Sequence, residues 1–510
     1  MISLDLSKEQ KLQLSGASAT APDGNNYGKL SETFLKWATL VLFAYFGMRL
    51  LFFATAISSF VPPDEVTHMG VCRIFSRVFL LPENSPETYE FGLVTTIPWL
   101  YYWIMGKLLH LNFFGIPDLV FLRLLNIPLA FGTIFFTRRT LLLLTNDRLA
   151  RLLLVVAMTN TAMFSLLSAS VSYDNLTNLL AAMAIYYLLA FFRDRSDYLL
   201  AAAILCQLAG SLTKVTFLPL VLVLNLLLVI HEFRNLRSLP PALKCYFRTS
   251  GLRNLLLALC ILVALGLNLQ LYAGNYLHYG TLNPPMSTVV SQTAAMNYRL
   301  DARGTIFNQY KEGKISYMEA LVLAGEIKHP GDKSDTFYLL MNYENMKRNP
   351  QLWMGPLQYS IVWFENMVGS IIGIKAHLIM EKDFRYSIPL YILTALSLLG
   401  FLVRWRPRQS GWLSPCLAVI VCFYAGYLMY EVNYDSYLNY GAAGVTLYGR
   451  YLFPVIGAIY ILLCHYLLQL FRTGYVRGAL ALATALLFIS YDFPWFLMHA
   501  TPEWYTWLPR

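Results

Sequence analysis

The chain has 510 residues, of which 57% are hydrophobic and only 13% are charged. Soluble proteins carry about 25% charged residues, so the composition excludes an ordinary soluble protein and indicates an all-α polytopic membrane protein. The formal net charge of +10 is explained by basic cytoplasmic loops, and we predict no nucleic-acid partner.

Residues 1–36 are polar and contain Pro, Gly and Asn, which predicts a mobile cytoplasmic tail. No short apolar core follows a basic start in this tail, so we do not expect it to act as a signal peptide. About eleven transmembrane helices follow, because eleven apolar segments approach the roughly 20 residues needed to cross a bilayer. They are 38–60, 117–137, 149–169, 174–192, 197–212, 215–231, 254–273, 386–403, 412–430, 451–471 and 478–496.

The segment 91–111 is also apolar but is interrupted by Pro98, Lys107 and His110. If it lies on the outer surface as a juxtamembrane or re-entrant element, every short basic loop faces the cytoplasm, as the positive-inside rule requires. A full crossing would invert all later loops. We therefore predict a multi-pass protein of the inner (plasma) membrane with a cytoplasmic N-terminus. The basic loop residues are Arg138, Arg139, Arg148, Arg151, Arg193, Arg195, Arg234, Arg237, Lys244, Arg248, Arg253, Arg404, Arg406, Arg408, Arg472 and Arg477.

This topology divides the chain into an N-terminal and a C-terminal transmembrane module joined by a long polar segment. Loops on a rigid scaffold commonly carry function, so the extracytoplasmic segments are where we expect the site. The divisions after the cytoplasmic tail are the N-terminal module 37–273 with its first outer loop 61–116, the large extracytoplasmic segment 274–385, the C-terminal module 386–496 and the outer tail 497–510.

The stretch "FVPPDEVTHMG" at 60–70 places two carboxylates and a histidine just after the first span. Pro63 suits the first position of a helix, and Asp64 and Glu65 in its first turn could simply cap the helix and complement its dipole. The alternative is a carboxylate that acts as a general base, with His68 tuning it or contacting substrate. A metal ion held by Asp64, Glu65 and His68 is a further alternative, so a divalent cation stays open as a cofactor.

Two other stretches place polar residues at the ends of spans. "SASVSYDNLTN" at 168–178 offers Asp174 and Asn175, either for substrate binding or as an ordinary polar turn. "GSLTKVTFLP" at 210–219 puts Lys214 between two closely spaced spans. Its ammonium either snorkels to the membrane surface or contacts an anionic group such as a lipid phosphate.

"VTLYGRYLFPVIG" at 445–457 places Arg450 at the start of another span, flanked by Tyr448 and Tyr451. The planar guanidinium suits phosphate because it can bond two oxygens, whereas an anchoring Arg in an interfacial aromatic belt is the plain alternative. Lys375 and His377 are expected to approach the same cleft. Arg49, in the middle of the first span, should face a cavity or a partner rather than lipid.

The predicted topology gathers Asp64, Asp174, Lys214, Lys375 and Arg450 at the outer membrane surface, from five distant parts of the chain. A carboxylate base with cations at the depth of lipid headgroups suits group transfer from a lipid-linked phosphate donor. The cations stabilise the leaving phosphate, and the carboxylate takes a proton from the acceptor hydroxyl.

At these residues the chain resembles the membrane glycosyltransferases of the GT-C superfamily. Those proteins pair an outward acidic motif after the first span, here "PPDEVTH", with amphipathic juxtamembrane helices, here 91–111. One bacterial family of predicted polytopic membrane proteins in this clan is similar over roughly residues 38–470. Its motifs correspond to "PDE..H" at 63–68, "SYDN" at 172–175, "LTK" at 212–214 and "YGRYLFP" at 448–454.

The resemblance implies a polyprenyl-phosphate-linked sugar donor and a glycan or lipid-linked acceptor on the outer side. By analogy Asp64 is the base and Glu65 its neighbour or a metal contact. The leading hypothesis is an inverting glycosyltransferase of cell-envelope polysaccharide assembly, because one base and one displacement invert the anomeric centre. A transporter or flippase of lipid-linked sugars and a non-catalytic scaffold in envelope glycan assembly are the alternatives.

Overall fold

The computed structural model describes residues 31–85, 91–232, 251–291, 299–327, 330–380, 384–405 and 412–506, together with residues 88, 294, 296 and 382. The predicted mobile tail therefore lies almost wholly outside the described residues, and so do the basic segment 233–250 and the last four residues. Within the described part, the protein is almost entirely helical, with one short pair of strands.

The helices are numbered in chain order. They are α1 (Glu32–Ala56), α2 (Glu65–Arg77), α3 (Leu100–Leu108), α4 (Asp118–Leu144), α5 (Arg148–Thr159), α6 (Ala162–Ser168), α7 (Tyr173–Asp194), α8 (Asp197–Ser211), α9 (Leu218–Glu232), α10 (Gly251–Asn268), α11 (Gly274–Tyr279), α12 (Met286–Val289), α13 (Arg299–Lys311), α14 (Tyr317–Gly325), α15 (Pro330–Arg348), α16 (Pro356–Ile372), α17 (Phe384–Arg404), α18 (Leu413–Tyr427), α19 (Asp435–Tyr440), α20 (Phe453–Leu470), α21 (Gly474–Tyr491) and α22 (Phe493–His499). The strands are β1 (Ile374–Lys375) and β2 (Ile379–Met380), and they pair antiparallel.

The membrane-spanning helices coincide with the predicted apolar segments. Within the described residues, nine helical segments are long and apolar enough to cross a bilayer, and α5 with α6 forms a tenth that is bent by 65°. The predicted span 197–212 is the fifteen-residue helix α8, which is shorter than a full crossing. The fold is therefore that of a multi-pass membrane protein, and the predicted count of about eleven agrees approximately.

The segment 91–111 does not cross the bundle, as predicted. Its helix α3 has nine residues, too few for a hydrocarbon core about 30 Å thick. Two of the polar residues that interrupt this segment bond the C-terminal end of α2. Lys107 donates to the carbonyl oxygens of Phe75 and Val78, and His110 Nε2 lies 2.9 Å from the oxygen of Ser76.

A small helical unit is inserted between the two transmembrane modules. Helices α13, α14 and α15 pack on one another around a separate hydrophobic core that includes Ile306, Phe307 and Leu340. Helix α16 and the β1–β2 hairpin then lead back to the bundle. The predicted large segment 274–385 is thus folded where it is described.

Arg49 of α1 has a protein partner, as expected for a cation in the middle of a span. Its guanidinium is fully buried, forms an ion pair with Asp492 after α21, and donates to the carbonyl oxygen of Thr159. Ser165 also donates to Asp492. The first span, the bent α5–α6 pair and the end of α21 are therefore joined at one polar centre.

Candidate active site

Asp64 lies in the turn that leads into α2. The helix begins at Glu65, two residues later than the predicted start at Pro63, and Asp64 itself has φ 57° and ψ 15°. This left-handed conformation is uncommon for residues other than glycine, although Asp and Asn adopt it more readily than most. The Asp64 side chain makes no capping hydrogen bond to the helix. The simple capping interpretation is therefore wrong for Asp64.

Four charged side chains come together at the end of the bundle where Asp64 lies. Lys214 Nζ is 2.5 Å from Asp174 Oδ1, and both side chains are buried. The guanidinium of Arg450 bridges the two carboxylates, with Nη2 3.3 Å from Asp64 Oδ2 and Nη1 3.8 Å from Asp174 Oδ2. The structure thus brings together Asp64, Asp174, Lys214 and Arg450, which we call the ionic cluster.

Local structure fixes two buried members of the cluster, Asp174 in α7 and Arg450 just before α20. Ser172 caps α7, and its hydroxyl accepts a hydrogen bond from the backbone N–H of Asp174 at 3.2 Å. Arg450 sits in a single 3-10 turn before α20, and this turn packs closely on α16. The preceding Gly449 donates to Ser370 Oγ at 2.8 Å, and a Cβ at Gly449 would lie 2.8 Å from the carbonyl oxygen of Met367.

Aromatic rings surround the cations. Lys214 Nζ lies 4.8 Å from the ring centroid of Tyr173 and 4.9 Å from that of Tyr451. The Arg450 guanidinium carbon is 5.4 Å from the centroids of both Tyr448 and Tyr451. These distances are within cation–π range and help to offset the loss of hydration.

Lys375, on β1 of the hairpin, lies at the margin of the ionic cluster. Its ammonium is 5.7 Å from the ring centroid of Tyr448, the ring that Arg450 also contacts. The hairpin therefore brings this predicted substrate-binding residue to the same end of the bundle, although it comes from a different part of the chain.

Glu65 turns away from the ionic cluster. Its two carboxylate oxygens accept from Arg123 Nε at 2.8 Å and Arg123 Nη2 at 2.5 Å, and Oε1 also accepts from the backbone N–H of Val171. The same guanidinium donates to the carbonyl oxygens of Ala54 and Ile57. This fully buried pair ties the start of α2 to α4 and the end of α1, so its geometry supports a structural role.

We expect Glu65→Gln to unfold more readily than the wild-type protein. Removing one partner of a buried ion pair leaves the Arg123 charge uncompensated, which typically costs about 3–5 kcal/mol. Thermal and chemical unfolding in detergent measures the loss. Asp118→Asn is the control, since its pair with Arg73 is solvent-exposed and such pairs contribute little. A Glu65→Gln protein of normal stability without transfer activity would instead support the predicted catalytic role.

His68 contacts the ionic cluster indirectly, through Tyr173. Its Nδ1 lies 2.8 Å from the Tyr102 hydroxyl, and its ring meets the edge of Tyr173 at a centroid distance of 4.6 Å. Tyr173 in turn lies against the Lys214 ammonium. Burial lowers the pKa of His68 to about 4, so the imidazole is neutral near pH 7. The contacts describe a packing partner of Tyr173 more directly than a substrate ligand.

The depressed pKa of His68 has a consequence for stability in acid. The unfolded chain takes up this proton near pH 6.5, before the folded protein does. The contribution of neutral His68 is therefore complete above about pH 6.5 and is lost as the pH falls toward 4. We expect the melting temperature of His68→Gln to fall less than that of the wild type across this window. Melting temperatures that fall equally in the two proteins between pH 7 and 4 would contradict the lowered pKa of His68.

Asn175 does not face the ionic cluster. Its Nδ2 is buried and donates to the carbonyl oxygens of Leu167 and Ser170 at 2.8 and 3.0 Å, and it lies 3.1 Å from Asn126 Oδ1. These bonds hold the bend between α6 and α7. The observed contacts of Asn175 are therefore those of a structural residue.

The three proposed metal ligands Asp64, Glu65 and His68 point to different partners. Asp64 contacts Arg450, Glu65 contacts Arg123, and His68 contacts Tyr102. Among the residues that the structure describes, no three His, Cys, Asp or Glu side chains group as they would around a metal ion. The cluster is built from two carboxylates and two cations instead.

Some residues of this region were not identified from the sequence. Arg123 lies inside an apolar span, and a cation at such a position is itself a signal for a buried partner. Tyr102 and Tyr173 carried no signal beyond their place in aromatic stretches. His377 was expected in the cleft, but without a role.

Among solved structures, the protein is similar to ArnT from Cupriavidus metallidurans, in the apo state and bound to undecaprenyl phosphate. The identities are 13% and 14%, over 86% of this chain and 78% of ArnT, with TM-scores of 0.36 and 0.35. It is also similar to the archaeal oligosaccharyltransferase AglB from Archaeoglobus fulgidus, in complex with an inhibitory peptide and a dolichol-phosphate. That match has 12% identity over 91% of this chain and 56% of AglB, with a TM-score of 0.42.

No protein-family model matches the sequence, and no curated protein is significantly similar to it. The chemistry proposed below is therefore argued from the geometry of the ionic cluster.

Proposed function

We propose that the protein is an inverting glycosyltransferase that uses a polyprenyl-phosphate-linked sugar as its donor. The observation that carries this proposal is the ionic cluster, in which one accessible carboxylate is bridged to a buried Asp–Lys pair by Arg450. The acceptor is an extracytoplasmic cell-envelope glycan or a lipid-linked glycan. The membrane-spanning fold suits both a lipid-linked donor and a reaction at the membrane surface.

Asp64 is the better candidate for the base of the two carboxylates in the cluster. Its side chain is 39% exposed, whereas the Asp174 side chain is only 4% exposed and is bonded to Lys214 at 2.5 Å. A general base must come within hydrogen-bond reach of the acceptor hydroxyl. Asp174 instead holds the two cations in place, and we assign it that positioning role.

Arg450 and Lys214 supply positive charge for the donor phosphate. A guanidinium can offer two parallel N–H groups to a phosphate, and Arg450 Nε makes no hydrogen bond within the described part of the chain. Lys375, next to Tyr448, is proposed to act at the margin of the same anion site. Tyr448 and Tyr451 provide flat surfaces beside the cations.

The reaction is a single displacement at the anomeric carbon of the donor sugar. The acceptor oxygen forms a bond to this carbon as the bond from the carbon to the phosphate oxygen breaks. The electron pair of the broken bond goes to the leaving polyprenyl phosphate, and the acceptor proton goes to the Asp64 carboxylate. One displacement inverts the configuration of the anomeric carbon.

The ion pair between Asp64 and Arg450 couples proton transfer to phosphate departure. While Asp64 is ionised, it shares the Arg450 guanidinium at 3.3 Å. Once Asp64 takes the acceptor proton, it becomes neutral and holds Arg450 less strongly. The positive charge of Arg450 therefore becomes available as negative charge develops on the leaving phosphate, which is the timing that transition-state stabilisation requires.

The proposal places the ionic cluster on the extracytoplasmic side of the inner membrane. Support comes from the short loops at the other ends of the spans, which are rich in arginine, including Arg138, Arg148 and Arg151. Such loops remain cytoplasmic under the positive-inside rule. Labelling of single introduced cysteines with a membrane-impermeant reagent in intact cells tests this orientation.

The direct test is incubation of the purified protein with a panel of polyprenyl-phosphate sugars and candidate acceptors, with and without a chelator. Mass spectrometry and the anomeric coupling constant of the product report transfer and inversion. A product with retained configuration would overturn the single-displacement mechanism. Donor translocation in reconstituted vesicles without transfer would favour a flippase. Normal glycan in cells that carry changes at Asp64, Lys214 and Arg450 would favour a scaffold.

A further inference from the structure

The β1–β2 hairpin contacts the turn that carries Asp64. At the tip of the hairpin, the backbone N–H of His377 donates to the carbonyl oxygen of Val61 at 3.2 Å. In the opposite direction, the backbone N–H of Asp64 donates to His377 Nε2 at 3.1 Å. The imidazole also lies nearly parallel to the Phe60 ring, with centroids 6.1 Å apart. One residue therefore contacts three positions of the 60–64 turn.

The conformation of Asp64 requires support of this kind. Its φ of 57° places it in the left-handed region, where the Cβ of an L residue lies too close to the neighbouring carbonyl oxygen. Such conformations persist where surrounding contacts hold them. The conformation also sets the direction of the Cα–Cβ bond, and here the Asp64 carboxylate meets Arg450 rather than the N-terminus of α2.

The hairpin is itself held firmly at its base. Lys382, after β2, is buried and donates to the carbonyl oxygen of Ile372, before β1, and to that of Tyr491 at the end of α21. Its ammonium also lies about equally close to the rings of Tyr491 and Trp495, at 5.1 and 5.0 Å. Contacts made by His377 are therefore made from a support anchored to the transmembrane bundle.

We infer that His377 is a positioning residue for Asp64, acting through a neutral imidazole whose Nε2 accepts the Asp64 backbone N–H. Because a backbone N–H can only donate, the ring proton belongs on Nδ1. The inference rests on the proposed role of Asp64 as the base. It explains why the Asp64 carboxylate is directed toward Arg450. In this role His377 acts through the backbone of the 60–64 turn.

The test compares His377→Leu, which removes the acceptor, with His377→Gln, whose Oε1 can accept the same N–H. His377→Leu should lower kcat by roughly 10- to 100-fold, since a misplaced catalytic group has effects of this order, with little change in KM for the donor. His377→Gln should restore most of the rate. His278→Leu is the control, because His278 is exposed and bonds only within its own helix turn in the described structure.

Hydrogen–deuterium exchange tests the contact without any assay of transfer. Pro62 and Pro63 have no amide hydrogen, so in a short peptide over 60–66 the Asp64 N–H is one of only four reporting amides, with those of Val61, Glu65 and Val66. We expect faster exchange of this peptide in His377→Leu, but not in His377→Gln or His278→Leu.

Unchanged exchange and unchanged kcat in His377→Leu would overturn the inference. An equal loss of kcat in the Leu and Gln variants would reduce His377 to a structural residue. If the wild-type protein transferred no sugar, the exchange result would still stand, and only the proposed function would fail.

Discussion

Asp64→Asn is expected to abolish most sugar transfer while leaving the protein folded. Removal of a general base typically costs a factor of about 10²–10⁴ in rate. Asn has nearly the same shape as Asp and tolerates the left-handed conformation that this position requires. Single-turnover transfer with a saturating donor measures the loss in the chemical step directly.

The control for Asp64→Asn is Asp118→Asn. Each carboxylate is 39% exposed and pairs with one arginine at about 3 Å, but Asp118 lies outside the ionic cluster. The same charge change should therefore leave transfer at Asp118→Asn near the wild-type rate. Near-normal transfer by Asp64→Asn, or an equal loss in both variants, would remove Asp64 as the base.

Arg450→Ala should reduce kcat/KM for the sugar donor more than it affects the kinetics of the acceptor, and Lys214→Ala should do the same. Loss of one preorganised hydrogen-bond donor to a developing negative charge typically lowers the rate by about 10²–10³-fold. We expect this loss in kcat/KM for the donor, with a smaller change in KM for the acceptor. Steady-state kinetics with each substrate varied in turn separates the two effects.

Arg450→Lys helps to separate charge from geometry. It keeps a cation between Asp64 and Asp174 but lacks the planar fork that bonds two phosphate oxygens, so we expect a partial loss of donor use in a folded protein. Arg73→Ala, which removes an exposed partner of Asp118, should have little effect. A similar loss for donor and acceptor in Arg450→Ala would argue against phosphate contact.

The sequence predicts the membrane-spanning helices well because a bilayer demands long apolar runs, and such runs are visible without tertiary information. The predicted count of about eleven spans is approximate, because the predicted span 197–212 is the fifteen-residue helix α8. The sequence also predicts that polar residues at the ends of several spans lie close together. Asp64, Asp174, Lys214 and Arg450 meet in the structure although their separations in the chain are large.

Orientation within a motif could not be predicted. Asp64 and Glu65 are adjacent carboxylates, and only the left-handed turn at Asp64 sends one toward Arg450 and the other toward Arg123. His68 and Asn175 were likewise expected to contact substrate, whereas their hydrogen bonds are made inside the protein. Motifs indicate where polar residues gather, but the direction of each side chain depends on backbone geometry and distant partners.

The pairing of Arg49 with Asp492 has a consequence for how the protein is made. Arg49 enters the membrane with the first span, but its carboxylate partner follows only with the last. The chain after that span also returns to the end of α1, where the Ser58 and Thr506 N–H groups bond the carbonyl oxygens of Trp504 and Ala56. During synthesis, more than four hundred residues must therefore be made after Arg49 before its carboxylate partner Asp492 is present. The polar centre around Arg49 is therefore complete only in a chain whose helix α21 has been inserted.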